Sequence, residues 1–179
     1  MIIIVGIAGA GKSTQGQILA AKLGCPWLST GQLLRDHLVD SKVLKKMLSG
    51  NLLTDDVLFP LLETEFKRLG ADRNELILDG TPRTMPQAHW LVDKIKSGHV
   101  KLTAVVHLVV SKKTVEKRLL SRGRPDDTIA AIQKRLAEFE QTVLPVVNYF
   151  KEQGYKVVEI DGEGPVEEDA KKIAMALNL

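Results

Sequence analysis

MIIIVGIAGAGKSTQ, residues 1–15, decides how the rest of the chain is read. Four apolar residues, Ile2 to Val5, form a short run of the kind that makes a buried strand. The run stops at Gly6, and Gly6-Ile7-Ala8-Gly9-Ala10-Gly11-Lys12-Ser13 fills all eight positions of a P-loop. Glycines there admit backbone angles that a side chain forbids. Successive N–H groups then point into one concavity, and the helix that follows adds partial positive charge. Lys12 is placed to reach the β- and γ-phosphates of a nucleotide. Ser13 or Thr14 is placed to bring a hydroxyl near Mg²⁺. The loop alone names a ligand but no reaction, because switches, motors and kinases share it.

Outward from the loop, short apolar runs alternate with amphipathic segments. Glu75–Leu78, Ala104–Val110 and Lys156–Ile160 read as further strands, and Cys25–Leu28 as another candidate. Helices are expected over Lys12–Leu23, Met85–Lys96, Ser111–Ser121 (with Ser111 as its N-cap) and Pro165–Leu177. One more starts at Asp126, where Ile129, Ile132, Leu136, Phe139, Val143 and Val146 recur at spacings of three and four. Strands separated by helices predict a parallel sheet covered on both faces. Residues 30–69 break this rhythm with helical pieces and no strand. They read either as an insertion that carries substrate-binding elements or as a helical decoration.

Length and composition fit this reading. The 179 residues suit one domain, with 44% hydrophobic and 26% charged residues. A net charge of +3 is too small to mark a nucleic-acid binder. One cysteine, Cys25, cannot form an internal disulfide, which fits a reducing compartment. No stretch has the ~18 apolar residues of a spanning helix, and Ile2–Val5 is too short for a signal-peptide core. These features predict a cytoplasmic protein away from membranes. The four histidines at 37, 89, 99 and 107 are scattered, and His107, inside a strand pattern, reads as a satisfied core histidine.

Two further features bear on chemistry. The run Glu75 to Leu78 ends in Asp79-Gly80, and in P-loop proteins a carboxylate at such a strand end holds Mg²⁺ directly or through water. Arginine, rather than lysine, gathers at Arg83, Arg118, Arg122, Arg124 and Arg135. Arg118 and Arg122 are four apart and share a helix face. Guanidinium groups clamp phosphate oxygens bidentately and stay charged, which is what phosphoryl transfer asks of its surroundings.

Taken in order, these motifs resemble the adenylate kinase family of nucleoside monophosphate kinases. The likeness covers nearly the whole chain. It rests on Gly6–Thr14, Leu28-Ser29-Thr30-Gly31 with Arg35, Gly50-Asn51-Leu52-Leu53-Thr54-Asp55, Leu78–Arg83 with Gln87, Arg118–Arg122, and Gly123-Arg124-Pro125-Asp126-Asp127 with Arg135. The resemblance implies a three-layer α/β/α P-loop fold on a five-stranded parallel sheet, as a single domain over 1–179. Its core would be 1–29, 60–117 and 129–179, its monophosphate-binding segment 30–59, and its short lid 118–128.

The implied reaction is Mg·ATP + AMP ⇌ 2 ADP, in a monomer whose partners are small nucleotides. Gly9, Ala10, Gly11, Lys12, Ser13 and Thr14 would hold ATP phosphates. Arg118 would stack on the ATP base, Arg122 would bind its phosphates, and Gly164 would offer backbone to the base. Thr30, Arg35, Asn51, Leu52 and Leu53 would line the AMP site together with Gly80, Thr81, Pro82 and Arg83. Within that site Arg83 would sit on the AMP phosphate and Gln87 would read the adenine edge. Arg124 and Arg135 would bridge AMP and the transferred group, while Ser13 and Asp79 would hold Mg²⁺. Lys12, Arg83, Arg122, Arg124 and Arg135 form the implied catalytic set.

Three departures from the family pattern stand out. Ile7-Ala8 and Lys12-Ser13 replace the usual proline and Lys-Gly-Thr, which predicts a more direct Mg²⁺ contact. Thr81 stands where an aromatic residue is usual, which predicts weaker or broader AMP binding. Only Gly123 separates Arg122 from Arg124, so the lid is minimal and holds no cysteines for a structural zinc. The competing readings are a UMP/CMP-type or broad monophosphate kinase, against which Thr30 and Gln87 argue, a GTPase-like switch, for which no Asn-Lys-x-Asp stretch exists, and a nucleotide sensor that binds without transfer.

Overall fold

A computed structural model describes residues 1–37, 55–123 and 127–179. Residues 38–54 and 124–126, and the side chains of Arg35 and His37, lie outside the described set. Five strands, β1 (Ile2–Gly6), β2 (Trp27–Ser29), β3 (Ile77–Asp79), β4 (Ala104–Val109) and β5 (Val157–Asp161), form one sheet in the order β2-β3-β1-β4-β5. All the pairings are parallel.

Alternation along β1 shows why both faces are covered. Ile3 and Val5 join a cluster with Leu78, Val105, Leu62, Leu91 and Phe150. Ile2 and Ile4 point the other way, into a cluster with Ile77, Val106, Leu19, Leu119, Ile132 and Ile173. The first face is roofed by α2 (Thr30–His37), α3 (Asp55–Leu69), α4 (Met85–Lys96) and α7 (Leu144–Glu152). The second is roofed by α1 (Lys12–Leu23), α5 (Lys112–Arg122), α6 (Ile129–Glu138) and α8 (Val166–Leu177). The expected parallel α/β/α sandwich is therefore the observed one.

Local signals place most element ends. Ser111 caps α5 by accepting from the Thr114 N–H at 3.3 Å, and Thr128 caps α6 through the Ala131 N–H at 3.2 Å. Strand ends shift by one or two residues from expectation, and the shift at β3 matters: it runs through Asp79, so this acid is the last residue of a buried strand. The described parts of residues 30–69 are helical after Thr30.

The long helix expected from Asp126 is corrected. It begins after Thr128 and is interrupted by a wider π-helical turn over Phe139–Val143 before continuing as α7. Pro145 lies in the first turn of α7. It lacks an N–H, and its ring would press on the carbonyl four residues earlier, so a widened turn ahead of it relieves the conflict.

Candidate active site

The C-terminal ends of β1 and β3 lie side by side, because the chain moves to one side of β1 for β2 and β3 and to the other for β4 and β5. Open parallel sheets bind ligands at such a switch. Here it opens into a cleft of about 850 Å³, lined by the P-loop and the segment Asp79–Arg83 and, on the outer walls, by Thr30, Gln87, Arg118, Arg122, Arg135 and Gly164.

The loop is shaped by tight approaches. Gly9 takes a φ of +86°, and a Cβ there would meet the Leu119 side chain at 2.9 Å. Gly11 follows in the left-handed region and starts α1. The Lys12 ammonium donates to the Ile7 carbonyl at 2.9 Å, folding its side chain back across the loop. Burial among protein atoms pulls Lys12 down to about 8, and Arg83 and Arg122 push the same way while Asp79 opposes. The ammonium is thus short of negative charge, which phosphate oxygens would supply.

Asp79 receives the Ser13 hydroxyl on Oδ2 at 2.6 Å. The serine of the loop and the acid of the neighbouring strand therefore meet, although 66 residues separate them. Their hard oxygens, beside the phosphate cradle, suit a Mg²⁺ that keeps several water and phosphate ligands. Among the described residues no group of three or more His, Cys, Asp or Glu could hold a metal alone. Such a Mg²⁺ would depend on the nucleotide for most of its coordination.

On the other wall, Thr30 is buried and its hydroxyl donates to the Asp79 carbonyl at 3.1 Å. The next residue must be glycine: Gly80 has a φ of +93°, and a Cβ would stand 2.5 Å from Thr30 Oγ1. Arg83 Nε donates back to the Gly80 carbonyl at 2.7 Å. Its guanidinium reaches solvent through the open cleft while protein surrounds it on other sides. That enclosure lowers its proton affinity, Asp79 and Glu138 oppose the effect, and Arg135 adds to it.

Gln87 is only 3% exposed. Its Oε1 accepts the Arg83 backbone N–H at 2.8 Å, and its Nε2 donates to Asp55 Oδ1 at 2.9 Å. The amide expected to read a base is therefore already held by protein at both ends, each with one further hydrogen-bonding position. Thr81 lies buried in the cleft wall at 3% exposure.

The arginines expected on phosphates meet on an acid. Arg122 grips Asp127 through Nε at 2.8 Å and Nη2 at 2.7 Å, and Arg135 Nη1 reaches the same carboxylate at 2.9 Å. The Asp127 side chain is 1% exposed. The hydrogen bonds from Arg122 above all hold its carboxyl below the usual carboxylate range. Arg118 Nη2 donates to the carbonyls of Gly162 at 2.9 Å and Gly164 at 3.5 Å.

Seventeen implied site residues thus line one cleft: Gly9 to Thr14, Thr30, Asp79 to Arg83, Gln87, Arg118, Arg122, Arg135 and Gly164. The expected contributions of Arg35, Asn51, Leu52, Leu53 and Arg124 lie outside the described residues. Sequence reading gave no role to Asp55 and Asp127, though both sit inside quoted motifs. It also passed over Glu138, at the end of α6, and Thr142, in the π-helical turn, both of which line the cleft. His107 is corrected in part. It is buried in β4, but its Nδ1 makes no hydrogen bond and stands 3.5 Å from Glu159 Oε1. Burial lowers its proton affinity.

The fold and this cleft define a P-loop nucleotide-binding protein with an arginine-lined second arm. The family model described as adenylate kinase matches residues 4–155. Similar proteins include the adenylate kinases of Corynebacterium urealyticum, 35% identical over 99% of this chain and 98% of that protein, and Nitrobacter hamburgensis, 37% identical over 98% and 91%. A third, from Prochlorococcus marinus, is 36% identical over 99% and 97%. The chain belongs to the adenylate kinase family, and as a member it is a phosphotransferase.

Proposed function

We propose that the protein transfers the γ-phosphoryl group of ATP reversibly to AMP, giving two ADP, with Mg²⁺ accompanying the ATP. One observation carries this reading: the Lys12 end and the Arg83–Gln87 end of a single cleft converge on Arg122 and Arg135. One arm suits a triphosphate and the other a nucleoside monophosphate.

In this reading Gly9 to Thr14 hold the ATP phosphates, with Arg118 and Gly164 at its base. Thr30, Gly80 to Pro82 and Gln87 form the AMP wall, completed by Arg35 and Asn51 to Leu53. Arg83 holds the AMP phosphate. An oxygen of that phosphate attacks the γ-phosphorus, and the bond to the ATP β-oxygen breaks, leaving two ADP. The attacking group is already an oxyanion, so no side chain has to remove a proton. What the site supplies is positive charge around the transferred group, from Lys12, Arg122, Arg124 and Arg135. Ser13 and Asp79 would hold Mg²⁺, which neutralises phosphate charge. For Arg122 and Arg135 to reach phosphate they must share their donors with Asp127 or leave it.

The domain division belongs to the same proposal: core 1–29, 60–117 and 129–179, monophosphate segment 30–59 and lid 118–128. So does a cytoplasmic monomer acting on small nucleotides, apart from nucleic acids. No described helix is long and apolar enough to cross a membrane.

A coupled assay for ADP from ATP plus AMP, CMP, UMP, GMP or dAMP tests the proposal. Preferred turnover of AMP is expected. Preference for CMP or UMP would make this a pyrimidine monophosphate kinase, and folded protein that binds ATP yet yields no ADP would be a sensor.

A further inference from the structure

The N-cap of α5 and two residues of that helix hold the loop between β5 and α8. Ser111, Thr114 and Arg118 stand three and four apart, so they line up along the helix. Arg118 takes the carbonyls of Gly162 and Gly164. The other two meet Glu163, whose Oε1 accepts the Ser111 backbone N–H and whose Oε2 accepts the Thr114 hydroxyl at 2.6 Å.

This resembles a capping box closed from outside the helix. In the usual box, a Glu or Gln at the third helical position reaches back to the N-cap N–H. Here the third position is Thr114, which lacks a side chain that could do so, and Glu163 supplies the carboxylate from a segment 49 residues away. The positive end of the helix dipole favours the negative charge. These hydrogen bonds, that from Thr114 first, hold the Glu163 carboxyl below its ordinary value.

We infer that Glu163 is a positioning residue for the donor nucleotide: it straps the Gly162–Gly164 loop to α5 and so presets the geometry between Arg118 and the Gly164 backbone. This inference rests on the proposed placement of the ATP base between those two groups. The strap is completed by Gly162 N–H donating to Val109 at 2.9 Å and by Lys172 donating to the Asp161 carbonyl at 2.8 Å. Both contacts fix the N-terminal flank of the loop, and Glu163 fixes its middle. Without Glu163, the loop keeps its Asp161–Gly162 anchor but loses its register on the helix that also carries Arg122.

Steady-state kinetics on the full chain test this. Glu163→Ala is expected to raise KM for ATP about three- to tenfold, the scale of one ordinary net hydrogen bond, and to leave KM for AMP within about twofold. Glu163→Gln keeps an oxygen for the Ser111 N–H and should recover most of the loss. Should Glu163→Ala fail to fold, Thr114→Val removes the hydroxyl from the same contact and should raise KM for ATP alone. An unchanged KM for ATP, or equal rises for ATP and AMP, overturns the positioning role. Arg118→Ala separates the two levels: if it too leaves KM for ATP unchanged, the placement of the base itself is wrong.

Discussion

Lys12 stands in the free protein with its pKa drawn down to about 8, first by burial and then by Arg83 and Arg122. Phosphate oxygens next to the ammonium favour its charged form, so nucleotide binding raises that value. Below about pH 7 the lysine is already protonated and affinity for ATP should be flat. As pH rises through 8, binding must take up a proton, and the dissociation constant should grow by up to about tenfold per pH unit. A titration of ATP affinity between pH 6.5 and 9.5 checks this, and a flat profile would contradict it. Arg83→Ala should lower kcat/KM by about 10²–10³-fold, as for one preorganised donor; a loss under about threefold would place Arg83 away from the reacting phosphates. The sequence pointed to both residues because each stands in a motif with a fixed spacing. It gave no sight of Asp55 holding Gln87, or Glu163 holding Ser111, since such pairs join distant segments and leave no periodic trace.

Helix ends carry the next level of organisation. The C-terminal residue of α5 is Arg122, and the acid it grips, Asp127, comes one residue before the N-cap of α6. With Arg135 on α6 sharing that carboxylate, one buried acid fastens two helices and sets the spacing of two cations. Asp127→Ala should therefore have two effects. Loss of hydrogen bonds to charged partners should lower unfolding stability by ~1–3 kcal/mol, read from denaturant melts. Turnover should also fall while the free-enzyme affinity for ATP rises or stays level, because the arginines gain freedom but lose their placement. A variant with unchanged kcat would show that Asp127 only fastens the fold. Because the carboxyl is held low in the folded state, its contribution is complete above the unfolded value near 4 and is lost as pH falls through the folded one. The helices themselves were legible from periodicity, with caps at Ser111 and Thr128. The π-helical turn was not, because apolar spacings of three and four continue through Phe139 and Val143 without marking a widened turn.

At the scale of the whole molecule, the sheet order brings the ends of β1 and β3 together and so joins the phosphate loop to Asp79. That much follows from a glycine loop after one buried run and an acid at the end of another, which is why the architecture could be read from the chain with only strand ends and the long helix after Thr128 in error. Water exclusion is a different matter. Between Arg122 and Asp127 only four residues remain, too few for a separate covering domain. On the proposed domain division, closure would come from the 30–59 segment and the arginine turn approaching each other over the cleft. On the proposed placement of AMP, its binding should drive that approach and assemble the arginines on the transferred phosphate. ATP alone would leave the cleft open but its cations unassembled, with Arg122 and Arg135 still on Asp127. Hydrolysis of ATP without AMP should accordingly run at least roughly a hundredfold slower than AMP-dependent transfer, the low end of what one missing preorganised donor costs. Measuring phosphate release beside ADP formation on the same preparation decides it. Hydrolysis approaching the transfer rate would mean that the arginines are productive without the acceptor and that this short lid does not keep water from the phosphate.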